Sequence, residues 1–191
     1  MAIFWWKQKS TSLHYYIFKV DKMIDKISIS LDVDDVLAGF YLEMCNRFGG
    51  SLEQIDIWGQ DASVFINKHW DKVKSDEDFW ENLPVISDPK DITFKFDYYI
   101  SAFPVEMFEA RKRWLDKNGF PEKPIICAHN KSFACKEYGV NILIDDKKST
   151  IQDIMCGGDR LGIWFRPSYM IEAGQDITNL SQVPSIIKKY L

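Results

Sequence analysis

The stretch Ile27-Ser-Ile-Ser-Leu-Asp-Val-Asp-Asp-Val-Leu-Ala38 decides how this chain is read. Ile27, Ile29 and Leu31 alternate with Ser28 and Ser30, then Asp32, Asp34 and Asp35 arrive with only Val33 between them. An apolar run that ends in clustered acids predicts a buried strand carrying carboxylates to its C-terminal tip. In open α/β sheets that tip is where ligands bind. Carboxylates so close together repel one another, and a bound cation would relieve the repulsion.

Working outward, Val140-Asn-Ile-Leu-Ile-Asp145-Asp146 repeats the pattern of an apolar strand ending in acids. Phe96-Asp-Tyr-Tyr-Ile-Ser101, Pro124-Ile-Ile-Cys127 and Leu161-Gly-Ile-Trp-Phe165 predict three more strands. Helical spacing runs from Val36 to Phe48 and stops at Gly49-Gly50. Residues 61–73 predict a second amphipathic helix with Val64, Phe65, Trp70 and Val73 inward, and residues 75–84 a short capped one. Further helices are expected from Pro104 through Leu115, over 131–137 as one or two turns, over 149–155 and over 183–191. Strands alternating with helices predict an α/β protein, Rossmann-like, with a mostly parallel sheet and helices on both faces. The expected division is an N-terminal extension at 1–25, an α/β core at 26–39 and 87–191, and a helical cap at 40–86. The extension reads either as a peripheral segment from an upstream start codon or as an element packed outside the sheet through Tyr15, Tyr16 and Phe18. Residues 85–95 show no clear helix.

The 191 residues suffice for one domain with a real core and a small insertion. A net charge of −4 with no long basic run argues against a duplex-binding surface. Cys45, Cys127, Cys135 and Cys156 form no Cys-x-x-Cys pair, so reduced, partly buried thiols of a cytoplasmic protein are expected. No apolar run approaches the roughly 18 residues of a membrane span, and no membrane partner is expected.

These motifs, in this order, resemble those of the haloacid dehalogenase (HAD) phosphatase superfamily, within it the 5′-nucleotidases similar to the 5′(3′)-deoxyribonucleotidases of bacteria and phage. Asp32-Val-Asp-Asp-Val-Leu-Ala matches the first motif, Tyr99-Ile-Ser-Ala-Phe-Pro104 the second, and Asn141-Ile-Leu-Ile-Asp-Asp-Lys147 the fourth. Phe79-Trp-Glu-Asn-Leu-Pro84 resembles the cap segment of that group. The resemblance implies a Mg²⁺-dependent phosphoric monoester hydrolase. Asp32 would be the nucleophile that forms an aspartyl-phosphate. Asp34 would protonate the leaving alcohol and then activate water. Mg²⁺ would be held by the Asp32 carboxylate, the Asp34 main-chain carbonyl and Asp145. Ser101, with Ala102 beside it, would bind a phosphate oxygen, and a lysine would stabilise the transferring phosphoryl group. Lys131 fits the family spacing best and Lys136 is its rival. Asp146 is left between holding a metal-bound water and capping the next helix. Asp35 departs from the glycine common at that position.

Phe40, Trp58, Phe79 and Trp80 are the aromatic candidates to bind a nucleobase, against the alternative that they form the cap's own small core. The expected partner is a small nucleotide, in nucleotide metabolism, with no duplex nucleic acid. A homodimer is left open. The alternatives are a phosphatase for another phosphoester, such as a sugar phosphate, and a nucleotide-binding module without catalysis. The whole reading requires the acids at 32, 34 and 145 to meet at one rim of the sheet.

Overall fold

A computed structural model describes residues 27–52, 60–169 and 177–190. The expectations for residues 1–25 and for Trp58 lie outside the described residues. Among the described residues, five strands form one sheet: β1 (Ile29–Leu31), β2 (Tyr98–Ser101), β3 (Ile125–Cys127), β4 (Ile142–Asp145) and β5 (Leu161–Trp164). Their order is β3-β2-β1-β4-β5, and every pairing is parallel. The protein is thus α/β with a Rossmann-like sheet. Parallel pairing needs crossover connections, and helices supply them. These are α1 (Phe40–Phe48), α2 (Gln60–Val73), α3 (Glu77–Glu81), α4 (Phe108–Lys117), α5 (Lys131–Glu137), α6 (Lys148–Met155) and α7 (Val183–Tyr190).

β1 lies at the centre because all three of its residues are buried and can be covered on both faces. Side chains alternate across a strand, so each strand feeds two cores. Ile29, Leu31, Tyr99, Ile142 and Ile144 join the large core with Trp80 and Trp114. Ile100 and Leu143 turn the other way, onto Ala134, Cys135, Val140 and Ile154. Gly49 ends α1 in the left-handed region at φ 74°, and a side chain on Gly50 would meet the Phe65 ring at 2.7 Å.

The expected helix from Val36 begins only at Phe40. Residues 33–38 form a tight turn instead, in which the Leu37 and Ala38 amides both donate to the Val33 carbonyl at 2.9 Å. Beyond it the chain runs beside its own return: Gly39 donates to the Pro84 carbonyl at 2.8 Å and Ile86 to the Leu37 carbonyl at 2.9 Å. The second strand begins at Tyr98, two residues later than expected, because the Asp97 amide and side chain are engaged with Ile29 at the start of β1. Within 85–95 a single 3₁₀ turn, Pro89–Asp91, is capped by Asp88. The expectation that Val64 faces inward is corrected, since it is 63% exposed. Ala62, Ile66, His69 and Val73 form the buried face of α2, and Val64 stands about 200° around the helix from Ile66. All four cysteines are free thiols, Cys156 being exposed. Among the described residues, no helix is long and apolar enough to cross a membrane.

Candidate active site

Parallel strands bring their C-terminal ends to one edge of the sheet. Asp32 directly follows β1, and its amide donates to the Ile144 carbonyl of β4 at 2.9 Å. Asp145 is the last residue of β4, and Ser101 is the last of β2. Lys131 opens α5, whose N-cap Asn130 accepts from the Phe133 amide at 2.9 Å. From there the Lys131 ammonium donates to Asp32 and, at 2.7 Å, to Asp145. Its rival Lys136 is exposed on the same helix.

The carboxylate oxygens of Asp32, Asp145 and Asp146 come within 4.8 Å of one another, and all three residues are buried. Asp34 stands apart from that group. Its Oδ1 pairs with the Arg111 guanidinium, and its Oδ2 lies 3.4 Å from the Ser101 hydroxyl. Asp35 turns inward at φ 56°, where it accepts hydrogen bonds from the Tyr41 amide, at 2.9 Å, and from the Tyr169 hydroxyl. A side chain at this turn therefore bonds locally and does not narrow the cavity mouth.

Electrostatics follow from burial. Desolvation pushes the Asp145 carboxyl up to about 6, against the opposing pull of Lys131, and pushes Asp35 up to about 8. It raises Asp34 as well, and Asp146 strongly, with Asp35 and Asp145 adding repulsion on Asp146. For Lys131, burial favours the neutral amine, but Asp145, Asp32 and Asp146 outweigh it and hold the ammonium above the ordinary lysine value. Five buried aspartates (32, 34, 35, 145 and 146) thus share two buried Lys or Arg side chains, Lys131 and Arg111, among the described residues. An oxygen-only donor set with an excess of negative charge fits a hard divalent cation.

A cavity of about 270 Å³ opens over these groups. The sheet edge contributes Asp32, Asp34, Ala102, Lys131 and Asp146, and α1, α2 and α3 contribute Phe40, Ile66, Asn67, Trp70 and Trp80. His129, Lys147 and Thr150 complete the lining. Of the aromatic candidates, Phe40 and Trp80 line the cavity, stacked on each other at 5.6 Å between ring centres. Phe79 is fully buried and packs edge-on to both, so it belongs to the small core beneath them. Ser101 is fully buried, within reach of Asp34.

Among the residues without a role in the sequence reading, Asn67, Trp70 and Arg111 matter most to the chemistry. Asn67 and Trp70 lie one turn apart on α2, and Trp70 had been read as core alone. Arg111 sits one turn before Trp114 on the buried face of α4. An arginine in register with inward apolar residues is the signal that would have found it.

No model of a known protein family matches the sequence, and no curated protein matches it. Among solved structures, the chain is similar to a crystal structure of a dehalogenase, with a TM-score of 0.48 and 11% identity, over 84% of this chain and 96% of that one. At this distance the chemistry has to be argued from the site's own residues.

Proposed function

We propose that the protein is a Mg²⁺-dependent phosphatase that hydrolyses nucleoside or deoxynucleoside monophosphates through an aspartyl-phosphate on Asp32. The observation that carries this reading is the Lys131 ammonium bonded to both Asp32 and Asp145 at the sheet edge, with Asp146 beside them. Asp32 attacks phosphorus, and the bond to the leaving oxygen breaks as Asp34 delivers a proton to it. Water then attacks the phosphoryl group, Asp34 takes its proton, and the Asp32 carboxylate is restored. Lys131 and Ser101 hold phosphoryl oxygens as charge builds on them. Asp32, Asp145 and the Asp34 carbonyl would hold the Mg²⁺, with Asp146 in reach; bound there, the ion offsets the repulsion between carboxylate and phosphate.

Trp70, half-buried on the cavity wall beside the buried Phe40 and Trp80, favours a nucleotide over a sugar phosphate, because a base offers its ring a flat face. Asn67 adds an amide able both to donate to and to accept from a base edge. On this reading residues 40–86 act as a cap over the phosphate site. The test is phosphate release from a panel of nucleoside monophosphates and sugar phosphates, with Mg²⁺ and with EDTA. Release from nucleotides that EDTA abolishes is the expected result. Equal turnover of the sugar phosphates would remove the base from the account, and release unaffected by EDTA would remove the metal.

A further inference from the structure

Arg111 is fully buried and does not line the cavity, although Asp34 and Trp80, which it contacts, do. Its guanidinium carbon lies 5.1 Å from the ring centre of Trp80, 5.5 Å from Phe103 and 5.9 Å from Trp114. Trp80 comes from α3, Phe103 from the segment after β2, and Trp114 from α4 itself. Within this cage Nη2 donates to Asp34 Oδ1, while Nε and Nη1 find no hydrogen-bond partner. Packing does not call for such a group here. An apolar side chain of similar volume would fill the space without leaving buried donors idle. What only a guanidinium supplies is a permanent charge on a planar fork that three rings can hold in one orientation.

We propose that Arg111 is a positioning residue for Asp34. The role rests on the phosphatase reading above. By occupying Oδ1, Arg111 leaves Oδ2, which accepts only a long 3.4 Å hydrogen bond from the Ser101 hydroxyl, to exchange protons with the substrate. In the first step the Asp32–phosphorus bond forms and the bond from phosphorus to the leaving oxygen breaks. The electron pair stays on that oxygen, and the Oδ2 proton joins it. In the second step Oδ2 takes a proton from the attacking water as the aspartyl-phosphate bond breaks. The guanidinium never gives up a proton, so it orients the carboxyl without competing for the transfer. Because Trp80 both lines the cavity and covers the guanidinium, the cap's contact with substrate and the aim of Asp34 share one side chain.

The discriminating experiment compares leaving groups. A nucleoside monophosphate expels an alkoxide that needs the proton, whereas p-nitrophenyl phosphate expels a stable phenolate that does not. The quantity read is kcat/KM with Mg²⁺, which ends at formation of the aspartyl-phosphate. Arg111→Met is expected to lose about 100-fold on the nucleotide and less than about threefold on the nitrophenyl ester. Arg111→Lys keeps a charge but not the fork, and should show the same split at about 10-fold. In an Asp34→Asn background, adding Arg111→Met should cost nothing more on either ester. That double variant removes both buried charges and so keeps the comparison available if Arg111→Met alone does not fold. Equal losses on the two esters, or a further loss without Asp34, would overturn the positioning role while leaving the phosphatase reading in place. Failure of the parent protein to hydrolyse either ester would overturn that reading, and Arg111's role with it.

Discussion

Asp32 and Asp34 are separated by one residue and each faces a buried cation, yet the two pairs live in opposite surroundings. Lys131 stands at the edge of an open cavity and divides itself between Asp32 and Asp145. Arg111 is enclosed by three aromatic rings and gives one nitrogen to Asp34. A lysine is a compact charge on a flexible stem, suited to changing partners when a metal or phosphate arrives. A caged guanidinium is suited to staying where it is. On the proposed mechanism, the pair of sites divides the labour on one loop between a carboxylate that forms bonds and a carboxylate that is held for proton transfer.

The largest effect that can break this comparison is on turnover. Asp32→Asn is expected to lower phosphate release at least ~10³-fold, since the amide cannot form the acyl-phosphate bond. A loss confined to Asp34→Asn, with Asp32→Asn active, would reverse the two roles. Stability sharpens the same contrast. Arg111→Met takes the buried cation away from the Asp34 carboxylate and should cost about 3–5 kcal/mol in denaturant unfolding without divalent cation. Lys131→Met should cost less, because Lys131 itself lines a cavity whose water can take the place of its ammonium, whereas Arg111 lies outside that lining. Equal costs would mean that cavity water does not replace the lysine ammonium.

A third, smaller effect concerns the turn joining the two pairs. The Asp35 carboxyl stands at about 8 in the folded chain against 3.8 ordinarily, chiefly because it is buried. Below pH 3.8 it is protonated in both states. Between those values the unfolded chain sheds a proton that the folded chain retains, so stability falls as pH rises, and the loss is complete above about 8. Asp35→Asn keeps an acceptor for Tyr41 and Tyr169, tolerates positive φ and does not titrate. Without metal, this variant should gain on the parent from pH 4 to pH 8, reaching a few kcal/mol, on the order expected for a carboxyl moved by several pH units. Thermal melts across that range supply the check, and parallel curves would contradict it. The smallest expected effect lies in the cap: Trp70→Ala should raise KM about 10-fold for a nucleotide, the value of one lost stacking contact, with little change for a sugar phosphate.

Much of the sheet edge was legible in the sequence. β1 and β4 stand out because a short apolar run ending in acids occurs twice, and parallel order then brings both ends together. The tight turn at 33–38 was not legible, since Val36 and Leu37 fall at helical spacing and only the contact of Gly39 with Pro84 starts the helix later. Val64 misled for a related reason: an apolar side chain in an amphipathic stretch was assigned inward, although the face set by Ala62, Ile66 and Val73 excludes it. Arg111 shares helical register with Ala110, Trp114 and Leu115, which marks it as inward without telling what holds it there. The cage around it comes from rings of three separate segments, a tertiary fact that no local pattern encodes.

The central claim is that Asp32 takes the phosphoryl group. The direct measurement is to quench the Mg²⁺-loaded protein with acid during turnover of a nucleoside monophosphate, reduce with borohydride, and sequence the peptides by mass spectrometry. The expected product is homoserine in place of Asp32, formed only with substrate present. Reduction at another carboxylate, or at none while phosphate is being released, would contradict the account.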